Sequence, residues 1–337
     1  MPKIPQLSIL DATPIGPDVT ATQALQWTTE IAQLAEKLNY HRLWVVEHHG
    51  VCDIGCSTPA VLIAHLAEAT HSLRIGSGGV MLPNHAPFVV AEQFRMLQGL
   101  YPGRIDLGVG RARGADPAIT LALQRGQNQD NEFETELDDL RCFLDGDFPA
   151  GHRFENVRIS LEVDSPPVYL LGSSLSSAKM AAERGLPFAF AHHLNPDASH
   201  ASLAKYKNEF RNNEILKKPY AILTIAVVCA DSFEEAQHAA MAAAIVRLRR
   251  AAMLRKSLIV SSDVLLFPQW TDIEQQLAEK ELAGGWILIG NPEQILNGLM
   301  DLCHSTDADE LMLTSIEYEG PSRMRTLQAV GKLVCRT

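Results

Sequence analysis

Residues 168–193 read VYLLGSSLSSAKMAAERGLPFAFAHH, and this stretch decides the fold class. Two short apolar runs, PVYLLGS and PFAFAHH, stand on either side of a segment with helical apolar spacing at 176–184. Uninterrupted apolar runs of this length are typical of strands in a parallel sheet that is covered on both faces. The stretch therefore predicts one strand–helix–strand unit.

The same alternation runs through the chain. Eight predicted strands alternate with helices: LSIL, RLWVV, LRIGSGGVML, RIDLGVG, PVYLLGS, PFAFAHH, AILTIAVVCA and ELMLTSI. This order predicts an α/β fold, a TIM (β/α)8 barrel, with an open doubly wound sheet as the alternative. We expect a single domain over residues 1–337 with two insertions. Residues 147–166 are predicted to form a small hairpin before strand 5, and residues 247–285, between strands 7 and 8, to cover the barrel.

Composition excludes several classes of function. Of the 337 residues, 46% are hydrophobic and 20% charged, and the formal net charge is -11 without a long basic run. This balance argues against nucleic acid or a membrane surface as a partner. The first residues lack the pattern of a secretory signal, and no apolar run approaches the ~18 residues that span a bilayer. We therefore expect a cytoplasmic protein.

The six cysteines are scattered along the chain, which fits reduced thiols better than a disulfide framework. Cys52 and Cys56 form a C-x₃-C pair close to His48 and His49, so zinc is an alternative. There is no second ligand pair at finger spacing and no HExxH motif. The sequence therefore predicts no metal.

Polar residues and glycines mark the ends of the predicted strands. In a TIM barrel the active site lies at the carboxyl ends of the strands, so these residues are the candidate site. Neighbouring residues on a strand point to opposite faces, so one of His48 and His49 should face the pocket while the other braces the loop. Simple packing of a loop is the alternative for both. The strand-end residues are Asp11, Glu47, His48, His49, Gly78, Gly79, Gly110, Arg111, Gly172, Ser173, Ser174, His192, His193 and Glu317.

The segment LLGSSLSSAKM predicts an anion site. A strand ends at Gly172, and the hydroxyls of Ser173, Ser174 and Ser177 surround the first turn of the next helix. The free N–H groups and positive dipole end of such a turn attract a phosphate, and Arg111 can supply the matching charge. A serine that only caps the helix is an equally open alternative.

Other nucleotide motifs are weak. GSGG and GVGRARG are rich in glycine, but neither gives G-x-G-x-x-G opening a helix, and no GxxxxGK[ST] occurs. A built-in nicotinamide domain is not expected. Consecutive glycines at a strand end instead suggest a backbone held close to a flat ligand.

Several long motifs in order resemble the bacterial-luciferase-like flavin-dependent monooxygenases, in particular their compact single-chain group. These are RLWVVEHHG, RIGSGGVMLPNHAPFVVAEQF, PGRIDLGVGRA, VYLLGSSLSSAKMAAERGLPFAFAHHLNP and DELMLTS, and the resemblance covers residues 7–333. It implies a barrel that binds reduced FMN from a separate flavin reductase. The flavin would react with O₂ to a C4a-peroxyflavin and oxygenate a small or carrier-bound organic substrate. It also implies a homodimer that pairs through helices near the second and third strands.

The resemblance assigns roles by position. His48 matches a histidine near the flavin that is linked to catalysis, with Glu47 and His49 as its support. Gly78-Gly79 falls on a cis peptide under the isoalloxazine ring. The phosphate-binding positions, with the neighbouring strand end, are Arg111, Gly172, Ser173, Ser174 and Ser177.

Departures from the family pattern concern the substrate. Gly110 stands where luciferase has a reactive cysteine, so light emission from a long-chain aldehyde is not implied. Arg113 stands where close relatives usually have proline, which suggests an anionic or carrier-bound substrate. The expected substrate pocket comprises Asp11, Gly110, Arg113, His192 and His193.

Three other functions remain open at this stage. A deazaflavin (F420)-dependent dehydrogenase would share the fold and the motifs, and would transfer a hydride without O₂. A non-catalytic flavin-binding protein would bind flavin without oxygenating a substrate. A zinc hydrolase would use the histidines and would need stoichiometric metal.

Overall fold

The computed structural model describes residues 6–51, 53–112, 117–123, 132–255 and 269–334. All its strands belong to one parallel sheet. The strands are β1 Gln6–Asp11, β2 Arg42–Val45, β3 Arg74–Met81, β4 Ile105–Gly110, β5 Val168–Gly172, β6 Phe188–Phe190, β7 Ala221–Cys229, β8 Ile287–Gly290 and β9 Glu310–Thr314.

Helices follow most strands and cover the outside of the sheet. They are α1 Ala21–Lys37, α2 Pro59–Glu68, α3 Pro87–Leu100, α4 Pro117–Ala122, α5 Glu132–Asp145, α6 Leu175–Glu183, α7 Ser199–Glu209, α8 Phe233–Arg255, α9 Asp272–Leu282, α10 Pro292–Thr306 and α11 Gly320–Val334. Two short 3₁₀ helices, Leu82–Asn84 and Pro196–Ala198, follow β3 and β6. None of the helices in these described ranges is both long and apolar enough to cross a membrane.

Eight of the strands close into a barrel. The order runs from β1 through β7, and β9 then pairs with both β7 and β1. Leu311 of β9, for example, stands opposite Leu7 on one side and Leu223 on the other. The predicted TIM barrel is therefore confirmed, and the alternative of an open sheet is wrong.

A ninth strand lies outside the barrel. The second half of β7 continues beyond the barrel wall, and its residues Ala226 to Cys229 pair with β8. The predicted insertion ended at residue 285, and no strand was predicted at Ile287–Gly290. The insertion itself is largely helical where it is described: α8 extends to Arg255, and α9 packs against it through Arg249 and Glu274, 2.6 Å apart. Residues 256–268 lie outside the described residues.

The hairpin predicted at 147–166 is wrong. The described residues there form turns and irregular backbone without a strand. Aromatic residues of this segment pack onto a helix instead: the rings of Phe148 and Phe154 lie against Phe143 of α5 at centroid distances of 4.9 and 5.2 Å.

Candidate functional site

A cavity of about 650 Å³ opens at the carboxyl ends of the barrel strands. Its volume lies in the range of sites that hold a cofactor or a small ligand. Every one of the eight barrel strands contributes to its wall. The lining residues are Leu10, Trp44, Val46, His48, Gly78, Gly79, Met81, Gly110, Arg111, Ala112, Leu171, Gly172, Ser173, Ser174, Ser177, Ala189, Ala191, His193, Leu194, Thr224 and Met312.

His48 enters this cavity from the end of β2. Its backbone N–H donates to the carbonyl of Cys56 at 3.1 Å, which fixes the loop, and its half-buried ring lines the cavity. Burial lowers the pKa of His48 below its ordinary value. At neutral pH the ring is therefore an uncharged imidazole with one nitrogen able to donate and one able to accept a proton.

Glu47 lies behind His48, fully buried, and collects three hydrogen bonds. Nε2 of His49 and Nε2 of His85 lie 2.7 and 2.8 Å from the same carboxylate oxygen, Oε1, and the Met81 N–H donates to Oε2 at 3.1 Å. Although burial opposes its ionisation, these hydrogen bonds hold the pKa of Glu47 below its ordinary value. Glu47 thereby ties the end of β2, which carries His48, to the end of β3.

His85 was missed by the sequence analysis. It follows the short 3₁₀ helix after β3, so the rule that active sites lie at the carboxyl ends of strands could have found it. Neither His49 nor Glu47 lines the cavity, whereas His48 does.

Gly78 and Gly79 form the floor of the cavity on the β3 side and are joined by a cis peptide bond. A Cβ atom at Gly78 would lie 2.5 Å from Leu10 Cδ1, and one at Gly79 would lie 2.8 Å from the carbonyl oxygen of Gly108. The barrel wall itself therefore requires glycine at both positions. Their close approach to a flat ligand remains a prediction.

The predicted anion site lies in the wall of the same cavity, at the end of β5 and the start of α6. Ser174 caps α6: its Oγ accepts the Ser177 N–H at 3.3 Å, and Ser177 Oγ accepts the Ser174 N–H at 3.2 Å. A Cβ at Gly172 would overlap the Ser177 hydroxyl, so glycine there keeps the turn compact. Arg111 is exposed at the rim of the cavity. Gly172, Ser174 and Ser177 thus form an anion cradle: the serines cap α6, and the positively polarised N-terminus of this helix faces the cavity.

His193 and His192 point in different directions. His193 lines the cavity, its Nδ1 lies 3.3 Å from the carbonyl oxygen of Thr224, and burial lowers its pKa to about 4. The ring is thus neutral, and donation from Nδ1 leaves Nε2 as an acceptor. The prediction that His192 lines the pocket is wrong, because its Nε2 instead pairs with the Gly285 carbonyl at 3.0 Å, in the loop before β8.

Asp11 was also predicted in the pocket, and this is wrong. Side chains alternate along β1, so Leu10 points into the barrel while Asp11 points out towards the helices. Asp11 Oδ2 accepts from Arg323 Nη1 of α11 at 2.7 Å, and Thr28 of α1 donates to Oδ1 at 3.3 Å. Gly110 does line the cavity. Arg113 lies outside the described residues.

Much of the cavity wall was not predicted from sequence. Trp44, Ala189, Thr224 and Met312 lie inside continuous apolar strands, where nothing in the residue pattern tells which side faces the barrel axis. The inward-facing side of each strand is defined only once the barrel has closed.

Comparison with known proteins agrees with this geometry. A family model described as luciferase-like monooxygenase matches residues 6–310. A luciferase-like monooxygenase of Escherichia coli (strain K12) is 38% identical over 325 residues, which is 95% of this chain and 94% of that protein. The N-acetyl-S-alkylcysteine monooxygenase of Bacillus subtilis (strain 168) is 45% identical over 192 residues, 56% of this chain and 58% of that protein.

Solved structures share the whole fold. The crystal structure of apo-MsnO8 superposes with a TM-score of 0.86 at 32% identity and covers 99% of this chain and 98% of its own. The oxygenating constituent of 3,6-diketocamphane monooxygenase from Pseudomonas putida, a type II Baeyer-Villiger enzyme solved with FMN, superposes with a TM-score of 0.73 at 17% identity, covering 99% of each chain. The chain belongs to the luciferase-like monooxygenase family.

Proposed function

We propose that this protein is an FMN-dependent monooxygenase that uses reduced FMN and O₂ to oxygenate a small or carrier-bound organic substrate. One observation carries the proposal: a single cavity joins the anion cradle at Gly172 to Ser177 with the His48 imidazole, across the Gly78-Gly79 floor. An FMN molecule needs these three features, a phosphate site at one end, a flat support, and a proton-transferring group beside the ring.

The residues present fit FMN. The cradle of Ser174 and Ser177, with Arg111 at the rim, would hold the phosphate, and the Gly78-Gly79 floor would support the isoalloxazine ring. A flavin complex has been solved for the Pseudomonas relative on the same fold. Reduced FMN, when bound, would supply the electrons and the activation of O₂, because oxygen chemistry is the cofactor's contribution.

The chain itself supplies proton control and exclusion of water. His48, uncharged at neutral pH, can hold or release a proton beside the ring, and buried Glu47 keeps the turn that carries it in place. The wall of Leu10, Trp44 and Met312 is apolar. An apolar wall limits the water that would otherwise discharge a reactive oxygen species.

A thioether is the first substrate to test. The Bacillus relative is named for N-acetyl-S-alkylcysteines, molecules with an oxidisable sulfur, an amide N–H and a carboxylate. The apolar cavity walls match the S-alkyl group, and His193 Nε2 can accept a hydrogen bond from the amide N–H. N-acetyl-S-benzyl-L-cysteine is therefore the probe compound.

A separate flavin reductase and a second copy of the chain are the proposed partners. Four large apolar side chains are exposed on α2 and α3: Val61, Val89, Met96 and Leu100, at 69%, 44%, 60% and 61%. Exposed apolar side chains on adjacent helices are typical of an interface, which supports a homodimer through these helices.

The test begins with anaerobic titration of the purified protein with photoreduced FMN. We expect saturable binding, and after admission of ¹⁸O₂ with the probe compound, a sulfoxide that carries ¹⁸O. Binding with hydrogen peroxide as the only product, for this compound and for a wider substrate panel, would favour a flavin-binding protein. Failure to bind FMN, together with tight binding of reduced F420, would favour the dehydrogenase.

A further inference from the structure

Glu47, His49 and His85 gather three metal-ligating atoms behind the cavity. The two Nε2 atoms lie 2.7 and 2.8 Å from Oε1 of Glu47, and all three atoms lie within 4.8 Å of one another. His49 belongs to the loop after β2, and His85 follows the 3₁₀ helix after β3, so two separate elements bring the imidazoles together. No element is shared with the FMN phosphate cradle.

Among the described residues, no lysine or arginine forms an ion pair with this cluster. The Glu47 side chain is 0% exposed, and in the described part of the chain its ion-pair partners are the two imidazoles, not a lysine or an arginine. Burial of a carboxylate is costly unless a cation compensates it. Protons shared with the imidazoles are one source of that charge, and a divalent cation is another.

The second carboxylate oxygen is already committed. Oε2 accepts the Met81 N–H at 3.1 Å, which orients the carboxylate and leaves Oε1 directed at both imidazoles. Hydrogen bonds of this kind to the atoms around a metal ligand fix its orientation in metal sites. The imidazoles are 15% and 29% exposed, so an ion can enter from their side.

We propose that Glu47, His49 and His85 form a binding site for one divalent transition-metal ion, with Zn²⁺ as the first candidate. Two imidazoles and one carboxylate are preferred ligands of this ion, and water would complete the coordination. Ligand atoms bound to Zn²⁺ at about 2.0–2.2 Å stand farther apart than hydrogen-bonded ones, so the cluster must open by only about 0.5 Å. On binding, each imidazole would coordinate the ion through Nε2 and carry its proton on Nδ1.

The experiment uses the full chain, freed of metal with a chelator, without flavin. Zn²⁺ is added in competition with a fluorescent zinc indicator, and bound metal is counted by elemental analysis after gel filtration. We expect one ion per chain with micromolar or tighter affinity. His85→Ala should weaken binding by more than about 100-fold, because loss of a group beyond the ligands already costs roughly 10–100-fold. Because no flavin is involved, the result does not depend on the proposed monooxygenase activity.

Two controls separate this site from its rivals. His71→Ala removes a surface imidazole, 92% exposed and 3.6 Å from Glu36, and should leave affinity unchanged. Cys52→Ser removes one cysteine of the C-x₃-C pair and should also leave it unchanged; Co²⁺ bound by the wild type should show no thiolate charge-transfer band. His49→Ala provides a second ligand deletion, and thermal melting of each variant checks the fold. Absence of stoichiometric binding, or wild-type affinity in both His85→Ala and His49→Ala, would overturn the site.

Discussion

The two mouths of the barrel have cavities of the same size and opposite chemistry. Each cavity measures about 650 Å³. The carboxyl-end mouth is lined by apolar side chains, glycines, serines and uncharged histidines, with Arg111 at its rim. At the amino-end mouth the barrel is plugged by ionised groups that neutralise one another. In one barrel, therefore, the polar groups at the amino-end mouth pair with each other, whereas those at the carboxyl-end mouth remain accessible to a ligand.

Arg42, Asp106 and Glu310 of the ionic plug are almost completely buried, and Arg74 closes it from the partly exposed side. Arg42 Nη1 lies 2.7 Å from Asp106 and Nε lies 3.0 Å from Glu310, and Asp106 also pairs with Arg74. Although burial opposes its charge, Asp106 and Glu310 raise the pKa of Arg42. Two guanidinium groups and two carboxylates thus cancel, and Trp44 Nε1 donates to Asp106 at 3.0 Å. This mouth follows the rule that the amino end of a TIM barrel serves stability.

Removing His48 should have the largest effect and should touch only the carboxyl-end mouth. We expect His48→Ala to lower the rate of coupled oxygenation roughly 10²–10⁴-fold, the usual contribution of a positioned acid–base group. Its free energy of unfolding should change little, since the ring is half-buried and lines a cavity. The measurement is product formed against hydrogen peroxide released, with His200→Ala on the exposed face of α7 as the control. Full coupling in His48→Ala would remove His48 from the reaction.

Asp106→Asn tests the other mouth. It leaves the buried Arg42 guanidinium and the partly exposed Arg74 guanidinium with one carboxylate fewer, and we expect the free energy of unfolding to fall by about 3–5 kcal/mol. The affinity for reduced FMN should stay within error in the folded protein. Asp138→Asn is the matched control, because Asp138 pairs with Arg184 at the surface and should cost less than about 1 kcal/mol. Urea denaturation gives both values, and a similar loss in the two variants would show that burial of the plug adds nothing.

The sequence predicts the carboxyl-end mouth better than the plug. His48, Gly172 and Ser174 stand at strand ends next to turns, where glycine, serine and histidine are conspicuous after apolar runs. Arg42, Asp106 and Glu310 stand at or near strand starts. A charged residue at such a position is usually interpreted as a solvent-exposed residue at the boundary of the strand. Only closure of the barrel brings them within hydrogen-bond distance, because they are 64 and 268 residues apart in sequence.

The sequence also does not determine which residues of a strand point into the barrel. Asp11 and His192 each stand next to a cavity residue, Leu10 and His193, and a shift by one position exchanges the barrel interior for its outside. The strand β8 was missed for a related reason: it needs the extra length of β7 as a partner, and pairing length is a property of the folded sheet.

Gly172→Ala should weaken the anion cradle without disturbing the plug. The added Cβ would overlap the Ser177 hydroxyl and push the first turn of α6 away from the cavity. Loss of hydrogen bonds from this turn to a charged phosphate costs about 1.5–3 kcal/mol of binding free energy, which corresponds to a dissociation constant for reduced FMN roughly 10–100-fold higher. Fluorescence titration under anaerobic conditions measures it. The control is Gly99→Ala on α3, where the added Cβ would lie 3.3 Å from Val163 Cγ1. Equal affinities for reduced FMN in the two variants would place the phosphate elsewhere.

The smallest predicted effect is a pH dependence that originates at His193. Its folded-state pKa of about 4 lies below the ordinary value of 6.5, so between these values the unfolded chain binds a proton that the folded chain does not. The stabilising contribution is complete above pH 6.5 and is lost as the pH falls towards 4. Between pH 7 and pH 5 the wild type should therefore lose about 2 kcal/mol more unfolding free energy than His193→Gln.

Other titrating groups do not obscure this difference. His48 and His192 remain in both proteins and cancel, and Glu47, whose pKa is lowered from 4.5, begins to lose its contribution only below the measured range. At the amino-end mouth, burial lowers the pKa of His41 and Arg42 lowers it further, so His41→Gln should reduce the acid loss in the same direction. Equal losses in wild type and His193→Gln would mean that the His193 ring is hydrated and can charge freely. The carboxyl-end mouth would then hold water at the position where the structure offers a ligand a neutral acceptor.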